Sequence, residues 1–142
     1  MWRLIIDSNV LTSAFRSRSG ASFALIELVR RERIRMLATP PLFLEYEDVL
    51  KRPEQLAVPH LSLTDVDTAL DALAALIEPV ETYLSWRPRL SDPDDEMVLE
   101  AAINGRADAL VTYNTAHFRV AVARFGLRLA RPVDIIREVI ET

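Results

Sequence analysis

Apolar residues in this chain follow two rhythms. Leu4-Ile5-Ile6 and Ala109-Leu110-Val111 are short unbroken runs of the kind found in strands covered on both faces of a parallel sheet. Elsewhere the apolar positions recur at helical spacing. Phe23, Leu25, Ile26, Leu28 and Val29 predict a helix over Ala21 to Arg31, and Leu42, Tyr46, Val49 and Leu50 predict one opened by Thr39 with Pro40 and Pro41. Val66, Leu70, Leu73 and Ile77 predict a third, capped by Ser62 or Thr64 and stopped by Glu78-Pro79. Asp92-Pro93 starts a fourth, which carries Met97, Val98 and Ala101 and ends near Gly105. Between these lie a short helical turn at Val10 to Phe15, a polar loop at Arg16-Ser-Arg-Ser-Gly20, a strand at Arg35 to Ala38, and an irregular passage bracketed by Pro53 and Pro59. Val80 to Trp86 reads only as an extended segment. The chain closes with a helix from Phe118 to Phe125, a strand from Gly126 to Ala130, and a helix from Pro132 to Ile140 that turns Val133, Ile136, Val139 and Ile140 inward. Such alternation predicts an α/β fold: a three-layer sandwich with helices on both faces of a mostly parallel central sheet.

Composition narrows the picture. With 142 residues, half of them hydrophobic, one domain spanning 1–142 is the natural reading. The 21 acids outnumber the 17 bases, so nucleic acid is not held here by broad basic coverage. A nuclease stays open, because carboxylates that gather divalent ions count as negative until the metal arrives. The absence of cysteine removes disulfides, thiolate zinc sites and thiol nucleophiles, and it fits a reducing compartment. No apolar run has the length of a signal peptide or a membrane span, which leads us to expect a cytoplasmic protein with no membrane partner.

The candidate chemistry is a set of acids. Asp7 follows the first strand at the edge where open parallel sheets form their binding crevice; the alternative is that Asp7 or Ser8 caps the next helix. Glu45 sits within the Thr39 helix, and Asp92, Asp94 and Asp95 at the start of theirs, all able to reach the same edge. Each has a plain structural reading as well, dipole complementation for Glu45 and capping for Asp92 and Asp94. Asp95 stands apart because the Met97-Val98-Ala101 stripe turns its side of the helix inward. Carboxylates gathered without a cation raise one another's pKa, and oxygen-only ligands select hard ions such as Mg²⁺ or Mn²⁺. Asn114, just past Thr112, is a candidate ligand-facing amide or simply a turn residue. His60, His117 and Asp108 are assigned no role.

Taken together, Asp7-Ser-Asn-Val-Leu, Glu45-Tyr46 with Val49-Leu50, Asp92-Pro-Asp-Asp-Glu-Met-Val-Leu-Glu-Ala-Ala, and Ala107-Asp-Ala-Leu-Val-Thr112 resemble the PIN domain, in the family's order and across nearly the whole chain. Within that family the resemblance is to bacterial toxin components of toxin-antitoxin systems. It implies a Rossmann-like ribonuclease fold in which Asp7, Glu45 and Asp95 hold Mg²⁺ or Mn²⁺, Ser8 and Asn9 support Asp7, and Thr112 bonds within the site. The family pattern often has a further acid two residues beyond that threonine, where this chain carries Asn114. An amide there can ligate or orient water but adds no charge, and Asp92 is a candidate to compensate. The resemblance also implies an RNA substrate, a small antitoxin whose tail enters the acidic groove, and a homodimer.

Activated water attacking phosphorus in line with the leaving 3′ oxygen would leave a 5′ phosphate. Arg16 and Arg18, in the loop after Asp7, are candidates to meet backbone phosphates. The competing expectation is a catalytically impaired PIN-like module that binds RNA or a protein partner, kept open by Asn114. A haloacid-type phosphatase ranks below both, since it wants a second Asp where Asn9 stands.

Overall fold

The computed structural model describes residues 1–58, 61–82 and 93–141, with side chains in the last segment from residue 95 onward. Among the described residues five strands form one sheet, every pairing in it parallel: β1 (Arg3–Ile6), β2 (Arg35–Ala38), β3 (Glu78–Pro79), β4 (Ala109–Val111) and β5 (Arg128–Ala130). Their order across the sheet is β3-β2-β1-β4-β5. Leu4, Ile5 and Ile6 in β1 and all three residues of β4 are completely buried. Successive strand residues point to opposite faces, so both faces of the central strands are covered, as their unbroken apolar runs required.

The helices are α1 (Ser8–Arg16), α2 (Ala21–Arg30), α3 (Pro40–Leu50), α4 (Pro53–Leu56), α5 (Leu63–Leu76), α6 (Pro93–Gly105), α7 (Thr115–Arg124) and α8 (Pro132–Glu141). Two caps are realised as the sequence predicts. Thr39 accepts from the Leu42 amide ahead of Pro40, and Ser62 forms a reciprocal capping box with Asp65. The α6 helix lies against β1, β2 and β4, driving Val98, Leu99, Ala101 and Ala102 into the core, while α2 packs between α1 and α8. The start of α6 therefore comes to the same edge as the ends of β1 and β4.

Several elements differ from the sequence expectation. The turn expected at Val10 to Phe15 is a nine-residue helix beginning at Ser8, so Arg16 belongs to its last turn and only Arg18 lies in the loop. The passage after Pro53 opens with α4, which Pro53 starts in the first-turn position that suits it. Glu78-Pro79 ends α5 but also forms edge strand β3, where a missing amide hydrogen costs little because one side has no partner strand among the described residues. The Glu78 carboxylate there accepts from Arg3 at 2.5 Å and Arg35 at 3.3 Å, tying three strands together. Helix α7 starts three residues early, because its buried stripe, Phe118 and Val122, lies a turn inside its true beginning. In α8 the inward stripe is Pro132, Ile135 and Val139, with Ile136 half-buried; Val133 and Ile140, expected inside, sit one step round the helix and are 43% and 76% exposed. His60, Asp92 and most of Val80 to Trp86 lie outside the described residues.

Candidate active site at the carboxyl edge of the sheet

β1 connects onward to β2 on one side of the sheet, while β4 lies on its other side, so the β1/β4 boundary is the topological switch point where α/β sheets form ligand crevices. Asp7 and Thr112 are the residues that leave these two strands. The sheet register sets Ile6 against Val111, and the Asp7 amide donates to the Val111 carbonyl at 2.9 Å. The Thr112 hydroxyl then donates to Asp7 Oδ2 at 2.8 Å.

Asp7 occupies the N-cap position of α1 with extended backbone, yet its side chain makes no capping bond. Its carboxylate is turned toward Thr112 instead, so the capping alternative for this residue is not what the structure adopts. Asn9 Nδ2 approaches both Thr112 Oγ1 at 3.2 Å and Asp7 Oδ2 at 3.4 Å, and Asn9 Oδ1 accepts from the Tyr113 amide at 3.3 Å. The Asn114 backbone N–H donates to Thr112 Oγ1 at 3.0 Å. One threonine hydroxyl thus gathers polar groups from β1's end, α1 and the β4–α7 turn.

Two further side chains complete the described geometry. Tyr46, fully buried on α3, donates its hydroxyl to the carbonyl of Ile6, the residue before Asp7. Asp95, in the first turn of α6 and 9% exposed, bonds His117 Nδ1 through Oδ2 at 3.2 Å. Burial raises the pKa of Asp7 above its ordinary 3.8; the hydrogen bond from Thr112 and the amide and hydroxyl of Ser8 pull it back, and the nearby charge of Asp95 raises it again. Burial also lifts the Tyr46 phenol well above its usual value, with the charge of Asp7 adding to the effect.

The fold therefore brings Asp7, Ser8, Asn9, Thr112 and Asp95 to one place. Glu45 stands half-buried on α3 beside Tyr46, and its charge contributes, after that of Asp48, to holding the Arg52 guanidinium above its usual value. Among the described residues no three His, Cys, Asp or Glu side chains cluster closely enough to hold a metal ion. Asn114 occupies the exposed N-cap position of α7 and its side chain caps nothing. Arg16 is not free in a loop: its Nε donates to Gln55 Oε1 at 2.8 Å and its terminal nitrogen to the Glu54 carbonyl at 3.2 Å. Arg18 is exposed after α1.

Sequence reasoning missed His117 and the second role of Tyr46. His117 is a lone histidine 22 residues from Asp95, and only the early start of α7 carries it to the crevice. Tyr46 falls on the apolar stripe, so its hydroxyl gives no signal until its partner is known. The donor chemistry fits a hard divalent cation: two carboxylates, both largely buried and near enough that the charge of Asp95 raises the pKa of Asp7, with no thiolate present.

Fold and site together define a parallel α/β protein with an acidic centre at its switch point. A family model for the PIN domain matches residues 3–116, and the chain belongs to that family. No curated protein sequence matches it. Among solved structures, one similar chain comes from VapBC2 of Rickettsia felis bound to a DNA fragment from their promoter, at 15% identity and a TM-score of 0.58, covering 91% of this chain and 98% of that one. Another comes from FitAB bound to an IR36 DNA fragment, at 14% identity and a TM-score of 0.58, covering 91% and 94%. At such identities the likeness is one of fold. Among the described residues no helix is long and apolar enough to cross a membrane.

Proposed function

We propose that this chain is a metal-dependent endoribonuclease acting as the toxin of a toxin-antitoxin pair. The observation that carries the reading is the convergence of Asp7 and Asp95, two largely buried acids close enough for the charge of one to be felt at the other, at the switch point of a PIN fold. Keeping both ionised is unfavourable in the bare protein, and a site built that way suits a divalent ion. PIN domains are in general nucleases, and the likeness to chains of VapBC2 and FitAB supports an antitoxin partner.

In this reading Asp7 and Asp95 are the core of a Mg²⁺ or Mn²⁺ site that Glu45, not clustered with them in the bare protein, joins only when the ion binds, with Asn114 and Asp92 as candidate further oxygen donors. The ion, when bound, supplies Lewis acidity toward water and phosphoryl oxygens. Thr112 and Asn9 fix the orientation of the Asp7 carboxylate, and Ser8 steadies it from α1. His117 bonds Asp95 Oδ2 and so steadies that carboxylate. Arg18 contributes charge toward RNA phosphates. The partners are an RNA substrate, a small antitoxin and a second copy of the chain in a homodimer, in the cytoplasm.

The test is hydrolysis of a labelled RNA in Mn²⁺ by the wild type, Asp7→Asn and Asp95→Asn. Each substitution should lower the rate by about 100-fold or more, the scale on which a transition-state charge is normally stabilised. Equal cleavage by all three proteins would end the proposal. A second reading, a PIN module that binds RNA or protein with impaired catalysis, draws on Asn114, an uncharged amide where the family pattern often has an acid. Calorimetric titration with Mn²⁺ separates the two: absent binding that RNA does not restore favours the module.

A further inference from the structure

A groove of about 530 Å³ opens beside the acidic centre, between the outer side of α1 and the α3–α4 corner. It shares Ser8 and Asn9 with that centre and continues along Thr12, Ser13 and Arg16 to Arg52, Glu54 and Gln55, so two arginines outnumber one acid in its wall. Among its described lining residues Val49 is the one apolar side chain, and the rest are polar or charged. Its volume falls in the range of small-ligand sites, roughly 300–1,000 Å³.

We infer that this groove is a subsite for the nucleotide next to the scissile phosphate of a single-stranded RNA. The inference rests on the hydrolase reading for its orientation, and the groove's own chemistry supplies the rest. The hydroxyls of Ser8, Thr12 and Ser13 can both donate and accept, which matches a ribose 2′-hydroxyl and base edges. Arg16 supplies the charge. Among the described residues its hydrogen bonds go to neutral oxygens, the Gln55 amide and the Glu54 carbonyl, which orient its positive charge without pairing it to a carboxylate there. Gln55 is 3% exposed and anchored at its other end, where Nε2 donates to the Thr12 carbonyl at 2.9 Å. The guanidinium is therefore held in one place before any ligand arrives, and a phosphate meeting it loses little further conformational freedom. Arg52, paired with Asp48 at 2.8 Å, completes the far wall. A strand whose reacting phosphate lies at Asp7 reaches the groove directly, because Ser8 and Asn9 line both.

The experiment reads binding of a fluorescent single-stranded RNA of about ten nucleotides by anisotropy in EDTA, without cleavage. Arg16→Gln should weaken affinity about 10-fold and lower the salt slope by about one. Ser13→Leu, which leaves the Arg16 contacts in place and fills the groove, should weaken it too, with melting temperatures confirming that both variants fold. Unchanged affinity in folded Ser13→Leu and Arg16→Gln would overturn the subsite. So would displacement of the RNA by hexaglutamate at equal concentration, which would assign the groove to acidic peptides. A wild type whose RNA binding falls in both variants but which cleaves nothing in Mn²⁺ would sink the hydrolase reading while supporting RNA binding in the groove.

Discussion

The Thr112 hydroxyl donates to Asp7 Oδ2 at 2.8 Å across a separation of 105 residues, and it accepts from the backbone N–H of Asn114. Replacing it with the isosteric Thr112→Val removes a donor to a buried carboxylate and leaves that acceptor short of a partner. We expect a loss of stability of about 1–3 kcal/mol and a 10–100-fold loss of Mn²⁺ affinity. Urea unfolding and calorimetric titration measure the two, and Thr112→Ser should recover most of both.

Asp7 makes stability depend on pH with a definite sign. Its folded pKa lies above the unfolded value near 3.8, so the folded chain holds this proton more tightly than the unfolded one. The stability it contributes is full below 3.8 and is lost as pH rises through the raised folded pKa. In EDTA, Asp7→Asn should therefore melt higher than the wild type near neutral pH, with the difference shrinking as the pH approaches 3.8. Each kcal/mol corresponds to about 2–8 °C for a domain of this size. Saturating Mn²⁺ should raise the wild type and leave Asp7→Asn unmoved. A wild type more stable than Asp7→Asn in EDTA at pH 7 would contradict the burial argument.

The Tyr46 hydroxyl is buried and donates to the Ile6 carbonyl, directly behind Asp7. Tyr46→Phe keeps the packing and strands that carbonyl, so stability should fall by about 1–3 kcal/mol in denaturant. Activity per folded molecule should fall as well, because the backbone that aims Asp7 loses a fixed point. Full activity in the folded variant would restrict Tyr46 to a packing role.

Asn114 sits exposed beside Thr112, where an acid would add charge without a burial penalty. Asn114→Asp should tighten Mn²⁺ binding and raise the rate of RNA cleavage at limiting metal. Binding and rate both unchanged would place the residue outside the metal's reach.

Much of the fold was legible because its signals are local. The unbroken runs of β1 and β4 announce strands covered on both faces, and Thr39 and Ser62 carry caps whose partners lie three residues away. Strand β3 was hidden for the converse reason: Pro79 is a stop signal to its own helix, and only β2 beside it makes the two residues a strand. Val133 and Ile140 misled because periodicity says that a helix has an apolar side, while the neighbour, here α2, decides how wide a stripe it covers.

The amino-acid sequence by itself determined that this is a parallel α/β PIN domain and that acids stand at Asp7, Glu45 and Asp95. Tertiary structure alone decided where those acids face. Asp7 could have capped α1, and the β1–β4 register turned it to Thr112 instead; His117 met Asp95 only because α7 begins at Thr115. The physical reason is range: burial and capping preferences act within a turn or two of chain, whereas hydrogen bonds at an active centre join residues that the chain itself keeps far apart.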